Sequence, residues 1–270
     1  MSSYWQQLRT LALAITTTCF AFIPDGCFVG VLTLPCLSEY WNTALARILV
    51  LVVVGVVSSI YIFFKRWLHK KITINGHDYK IAVEYGDILK QDKCKIVVNF
   101  DECFTAEVGE APHQIKPSSL CGQFLQKYPL DIEALISSSK LMPLRKHSEH
   151  DNRICYESGT ILPYGQFWLM AFGKLNKDGR AEMTRDDYLS CLNKLWKEIN
   201  KHYTQTDVAI PVLGAGITNF KGEPLSQQQL VDIIVASYKL SPYKIKTPHT
   251  LHIVCRRNDE FSLNKIGSTL

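Results

Sequence analysis

Val208-Ala-Ile-Pro-Val-Leu-Gly-Ala-Gly-Ile-Thr-Asn-Phe220 is the stretch whose reading decides the fold. Val208 to Leu213 is a short β-branched, apolar run, and it empties into Gly214-Ala215-Gly216, where small residues let the backbone approach a ligand closely. Two readings fit the pair of glycines: a strand feeding a phosphate loop, or a strand ending in a tight turn. Asp207 marks the entry to the strand. A helix follows the loop, because Ser226 with Gln229 forms a capping-box pattern and Leu230, Ile233, Ile234 and Tyr238 recur at helical spacing. In an open α/β sheet, ligands sit at the carboxyl ends of strands, in crevices edged by such loops.

Working outward, strands and helices alternate. Ile72–Ile74 and Tyr79–Val83 read as strands around the turn Asn75-Gly76-His77-Asp78, and Lys95–Asn99 as a third. Pro117 opens a helical segment with Leu120, Phe124 and Leu125 on one side, and Asp131–Ile136 reads as a second short helix. Ile154–Tyr156 and Phe167–Phe172 are further expected strands, with Gly159-Thr160 and Pro163 between them. The clearest helix runs from about Thr184 to His202. Thr184 caps it, Asp186 and Asp187 suit its positive end, and Tyr188, Leu192, Leu195, Trp196 and Ile199 form one apolar face. With Gln227–Leu240 as a helix and Thr250–Cys255 as a last strand, the order implies a mostly parallel mixed sheet in a three-layer α/β/α domain over residues 71–270.

Residues 1–70 have a different character. Two apolar stretches, about 8–30 and 45–64, approach the roughly 20 residues that span a bilayer, which predicts a two-helix transmembrane hairpin. A signal peptide is the competing reading of the first, but Cys19-Phe20-Ala21-Phe22 and Pro24-Asp25-Gly26 offer poor cleavage sequence. Lys65, Arg66, Lys70 and Lys71 directly after the second span predict a multi-pass inner-membrane location with the α/β domain in the cytoplasm. The formal charge of +5 is not a nucleic-acid signature, because residues 1–70 hold five Lys/Arg against two Asp/Glu and leave 25 against 23 in the rest. No nucleic-acid partner is expected, and the ligand is small.

Nine cysteines occur without a C-x-x-C pair. Cys94, Cys103, Cys121, Cys155, Cys191 and Cys255 read as buried free thiols of a reducing compartment, whereas Cys27 and Cys36 fall in the outer hairpin, where both a pair and two free thiols fit the sequence. His147 and His150 have metal-ligand spacing, but Arg145, Lys146 and Asp151 beside them favour a solvated loop. No metal and no cofactor are expected.

Three separated pieces resemble a macro domain, the three-layer α/β fold associated with ADP-ribose binding. They are Val83-Glu-Tyr-Gly-Asp-Ile88 leading into Ile96-Val-Val-Asn99, then Gly159-Thr160, then Ile210-Pro-Val-Leu-Gly-Ala-Gly-Ile217. With two spans ahead of the domain, the whole chain is similar to the membrane-anchored macro-domain effectors of Thoeris anti-phage defence systems. The resemblance implies that Asp87 recognises the adenine amino group and that the backbone of Ile88 supports the same ring. It implies that Gly214, Ala215, Gly216 and Ile217 wrap the diphosphate with backbone N–H groups, with Thr218 at the end of that loop. Asn99 matches the first asparagine of the family's Val-Asn-Ala-Ala-Asn pattern. Val98-Asn-Phe-Asp-Glu102 puts Glu102, with Asp101 beside it, where the second asparagine is expected, and Phe104–Glu110 stands in place of a triple-glycine loop. Phe220 has two readings, a platform near the distal ribose or a core aromatic closing the loop. Asp87 likewise reads as adenine acceptor or as a turn cap.

The implied function is a membrane effector, without chemistry of its own, that binds an ADP-ribose-derived signal made by a TIR-domain partner, with a histidine adduct as one form. It would then act as a homo-oligomer on the lipid bilayer. A tethered ADP-ribosyl hydrolase is the alternative, with Asp101 or Glu102 as general base, and a scaffold that binds no nucleotide is the third reading.

Overall fold

The computed structural model describes residues 38–68, 70–111, 113–216, 218–258 and 261–267, with single positions 27 and 35. The chain divides into two compact units, Met1–His69 and Lys70–Leu270.

In the first unit, helix α1 spans Glu39–Leu68. Its stretch Tyr40–Ile60 is 21 residues long with mean hydropathy 2.3 and is 6% buried, which by length and composition suffices to cross a membrane. At about 1.5 Å per residue that stretch reaches roughly 30 Å, the thickness of a hydrocarbon core. Ile48, Val52, Val53 and Val57 all stand exposed on it. Ser59 turns its hydroxyl back to Gly55 O at 2.8 Å, so this polar group is satisfied within the helix. One such helix is found among the described residues, where the sequence predicts two; the expected first span, about 8–30, lies outside them apart from Cys27. Cys27 carries a free thiol, and Cys36 lies outside the described residues.

The second unit is a nine-stranded mixed sheet with helices on both faces. Its strands are β1 (Lys71–Asn75), β2 (Lys80–Tyr85), β3 (Cys94–Asp101), β4 (Ile161–Tyr164), β5 (Phe167–Leu175), β6 (Ala181–Met183), β7 (Asp207–Pro211), β8 (Asn219–Phe220) and β9 (Thr250–Cys255). They lie in the order β1-β2-β9-β7-β3-β5-β6-β8, and β4 pairs with β5. The pairings joining β2, β9, β7, β3 and β5 are all parallel. These strands are covered on both faces, which explains their near-continuous apolar runs.

Helices α4 (Arg185–His202) and α5 (Gln227–Leu240) cover one face, where Trp168, Tyr188, Trp196 and Tyr238 are packed with Ile210 and Ile253. Trp196 Nε1 donates to Ser237 Oγ at 3.0 Å and ties the two helices together. Both begin with a complete capping box, Thr184 with Asp187 and Ser226 with Gln229. The other face is covered by α2 (Leu120–Lys127) and α3 (Ile132–Ser138), over a cluster holding Phe100, Phe104, Phe124 and Phe167.

Two expectations are corrected. Ile154–Tyr156 is not a strand: Cys155 and Tyr156 are buried by packing, without a ladder. Pro163 lies inside β4 rather than between strands, and β4 pairs with β5 alone, where an edge tolerates the missing N–H.

Candidate functional site

The ladder between β3 and β7 ends at Ile96 and Ala209. Beyond that point β3 runs on to Asp101 paired only with β5, and β7 runs on to Pro211 paired with β9. The two strands part at their carboxyl ends, and such a split in a parallel sheet opens a crevice. Loops leaving β2, β3, β7 and β9 edge it.

The loop after β2 holds Asp87 as the cap of a 3₁₀ turn, Ile88–Lys90. Leu89 N donates to Asp87 Oδ1 at 3.1 Å, and Lys90 Nζ lies 3.6 Å from Oδ2. The cap reading is therefore realised, yet the Asp87 side chain stays 47% exposed and keeps lone pairs for a further donor. Ile88 is buried with Ala209 and Val254, which seats the turn against the middle of the sheet.

The loop after β7 bends at Gly214, whose φ is +84°. A β-carbon there would fall 2.8 Å from Phe220 Cζ, whereas at Gly216 it would meet nothing within 4 Å. Ala215 N bonds to Val212 O at 3.2 Å, and Tyr188 donates its hydroxyl to Leu213 O at 3.0 Å from the helix side. Ala215 and Gly216 are exposed and Thr218 half-buried, while Ile217 lies outside the described residues. Phe220 is packed as a core residue: it is 5% exposed and stands edge-on to Tyr188 at 5.5 Å.

At the end of β3, Asn99 is half-buried opposite Met170. Asp101 Oδ1 accepts from Cys103 N at 2.9 Å and Thr105 N at 3.1 Å, closing a tight turn in which Phe104 is buried at φ +54°. Burial pushes the Asp101 carboxyl up against the opposing pull of those donors and of Arg153. Glu102 is buried, and its Oε1 accepts from Leu175 N at 3.1 Å. Both acids hold the loop together. Gly159 and Thr160 sit across β5 from β3, bonded to Ala171, and a β-carbon on Gly159 would lie 2.6 Å from Cys191 O of α4. Gly159 is thus fitted to a helix, one strand away from Asp101.

Among the described residues no group of three or more His, Cys, Asp or Glu side chains is disposed to hold a metal. His150 contacts Lys177 O at 3.3 Å and Asp151 at 3.3 Å and stacks on His113, which makes it a loop fastener. Burial pushes the thiols of Cys94, Cys103 and Cys255 up to about 11, 12 and 12, so they stay protonated. Sequence reasoning missed Arg256 and Arg257. They follow β9, which lies between β2 and β7, and Arg257 covers the Tyr85 ring at 4.9 Å beside the Asp87 turn. Only the sheet order reveals that position.

Residues 81–256 match the family model described as Thoeris protein ThsA, Macro domain. The chain belongs to that family. A curated relative, Thoeris protein ThsA of Bacillus amyloliquefaciens (strain Y2), is 27% identical over 228 residues, covering 80% of this chain and 76% of the relative. Among solved structures, a macrodomain variant from Oceanobacillus iheyensis aligns over 71% of this chain and 92% of its own, at 11% identity and TM-score 0.47. The macrodomain of Thermus aquaticus DarG aligns over 65% and 97%, at 13% identity and TM-score 0.40. In this ThsA-type macro domain the matched segment runs from β2 to β9 and contains both the Asp87 turn and the Gly214–Gly216 loop.

Proposed function

We propose that the crevice of this ThsA-type macro domain binds an ADP-ribose-derived signal nucleotide in anti-phage defence, that a TIR-domain partner supplies it, and that α1 carries the response into the membrane. The observation that carries this reading is the family match over 81–256, which spans the loops that leave β2, β3 and β7. The chemistry agrees. Asp87 offers a half-exposed carboxylate to an exocyclic amine, and the bare backbone around Gly216 suits a diphosphate, as an anion-binding concavity requires.

The domain acts as a receptor without turnover. Asp101 Oδ1 and Glu102 Oε1 already accept backbone N–H groups, which favours a structural role over that of a general base. In the membrane, α1 presents apolar side chains around most of its surface, and Gly55, Ser58 and Ser59 allow close approach of helices from neighbouring chains. Nucleotide binding repacks these helices in a homo-oligomer and breaches the bilayer. The driving force is the difference in nucleotide affinity between the two assemblies.

Calorimetry of the full chain with ADP-ribose and its amino-acid adducts tests the first step, and dye leakage from liposomes carrying the chain tests the second. Binding accompanied by leakage is expected. Release of ADP-ribose from a modified substrate would replace the receptor by a hydrolase, and leakage indifferent to nucleotide would leave a tethered binding domain.

A further inference from the structure

Between α3 and β4 the chain forms a double limb whose turn His150 fastens to the body, at Lys177 O and on the His113 ring. Leu144 N donates to Cys155 O at 2.8 Å and Ser148 N to Arg153 O at 2.9 Å, so residues 144–148 run alongside 153–155. The turn between them has Asp151 and Asn152 both at φ 52°. Cys155 and Tyr156 are buried at the base of the limbs, and Ser148 is buried beside the turn. Arg153 adds a bond from Nη1 to Thr105 Oγ1 at 3.2 Å.

What the limbs hold outward is unusual for a soluble surface. Met142, Leu144 and Ile154 are 87%, 42% and 57% exposed, and Lys140, Arg145, Lys146 and His147 are exposed around them. The acids of this segment, Glu149 and Asp151, sit in the turn, where Asp151 contacts His150 at 3.3 Å. Apolar side chains flanked by cations suit one partner well: an anionic bilayer surface, whose phosphates take the cations while the apolar groups enter the headgroup boundary. A protein partner held with standard stability needs roughly 800 Å² per side, more than three side chains provide. A bilayer needs no such area when a tether already keeps the element close, because the second contact is then intramolecular.

We propose that the 140–156 double limb is a bilayer-docking element that binds anionic phospholipid headgroups. The proposal rests on the reading of α1 as a membrane anchor, which supplies the tether.

The test is hydrogen exchange of the peptide covering residues 140–156 in the full chain, reconstituted into nanodiscs of phosphatidylcholine alone or mixed with phosphatidylglycerol. Exchange about tenfold slower in the anionic discs is expected, with the difference lost on raising the salt. The double variant Arg145→Glu, Lys146→Glu should lose the protection while keeping its melting temperature, and Met142→Ser with Ile154→Ser should weaken it. A chain that enters the discs but exchanges equally in both lipids overturns the docking and leaves the anchor standing. Protection that follows the number of chains per disc rather than lipid charge overturns it in favour of a protein contact. A chain that does not enter discs at all overturns the anchor and the proposal together.

Discussion

At Gly214 a β-carbon would press on Phe220, and the backbone there has positive φ, whereas at Gly216 the same atom would find open space. The two glycines therefore answer different mutations differently. Gly214→Ala should cost about 1–3 kcal/mol of stability through strain and overpacking. Gly216→Val should change stability by no more than about 0.5 kcal/mol and yet abolish nucleotide binding, because its methyl groups enter the bare space. Thermal melting beside calorimetry separates them; a Gly216→Val variant that binds normally would remove the ligand from this loop. Asp87 permits a similar separation of cap from acceptor. Asp87→Asn keeps an oxygen for Leu89 N but loses the charge, so the fold should persist while affinity falls about tenfold to a hundredfold, the worth of a charge-assisted hydrogen bond. Unchanged affinity in the folded variant would leave Asp87 as a cap and nothing more.

The turn from Asp101 to Thr105 behaves as one element, since a single carboxylate oxygen holds two of its N–H groups. Burial raises the Asp101 carboxyl above its ordinary value of 3.8, so the folded state holds the proton more tightly than the unfolded chain. The resulting penalty is absent below that ordinary value, grows as pH rises through it, and is complete above the raised one. Asp101→Asn, which keeps the accepting oxygen, should melt higher than the parent at pH 7, with the gap closing on acidification; a lower melting point at pH 7 would reverse this account. For α1, Val52→Lys places a charge in the apolar stretch at a cost of about 2.5–3.5 kcal/mol, and alkaline extraction of membranes should then release the chain. Features made by four consecutive residues were legible in the sequence: the Thr184 and Ser226 capping boxes, the helices they start, and the exposed glycine loop after β7. Features that depend on partners far along the chain were not. Strands β6 and β8 have three and two residues and exist through their pairing with each other and with β5. Ile154 looked like strand and proved to be part of the double limb, and Arg256 and Arg257 gained their place only from the order of the sheet.

For the Lys70–Leu270 unit as a whole, four parallel strands send their loops to the carboxyl edge where the β3–β7 ladder ends early, so on the proposed function a ligand there clamps that edge of the sheet. Nucleotide at about a hundred times its Kd should stabilise the unit by about 2.7 kcal/mol, read as a rise in its melting temperature that the Gly216→Val variant lacks. A rise of equal size in that variant would move the site elsewhere. β9 lies between β2 and β7 although every other strand precedes it in sequence. That placement sets a timetable for biosynthesis. α1 leaves the ribosome before any strand of the sheet, and Thr250 follows Ile60 by roughly 190 residues, on the order of ten to forty seconds of synthesis. Throughout that interval the nascent chain has its long apolar helix but no closed sheet and no crevice. If the helix alone could breach the bilayer, each round of translation would injure the cell that makes it, so on the proposed function harm has to await the arrival of β9.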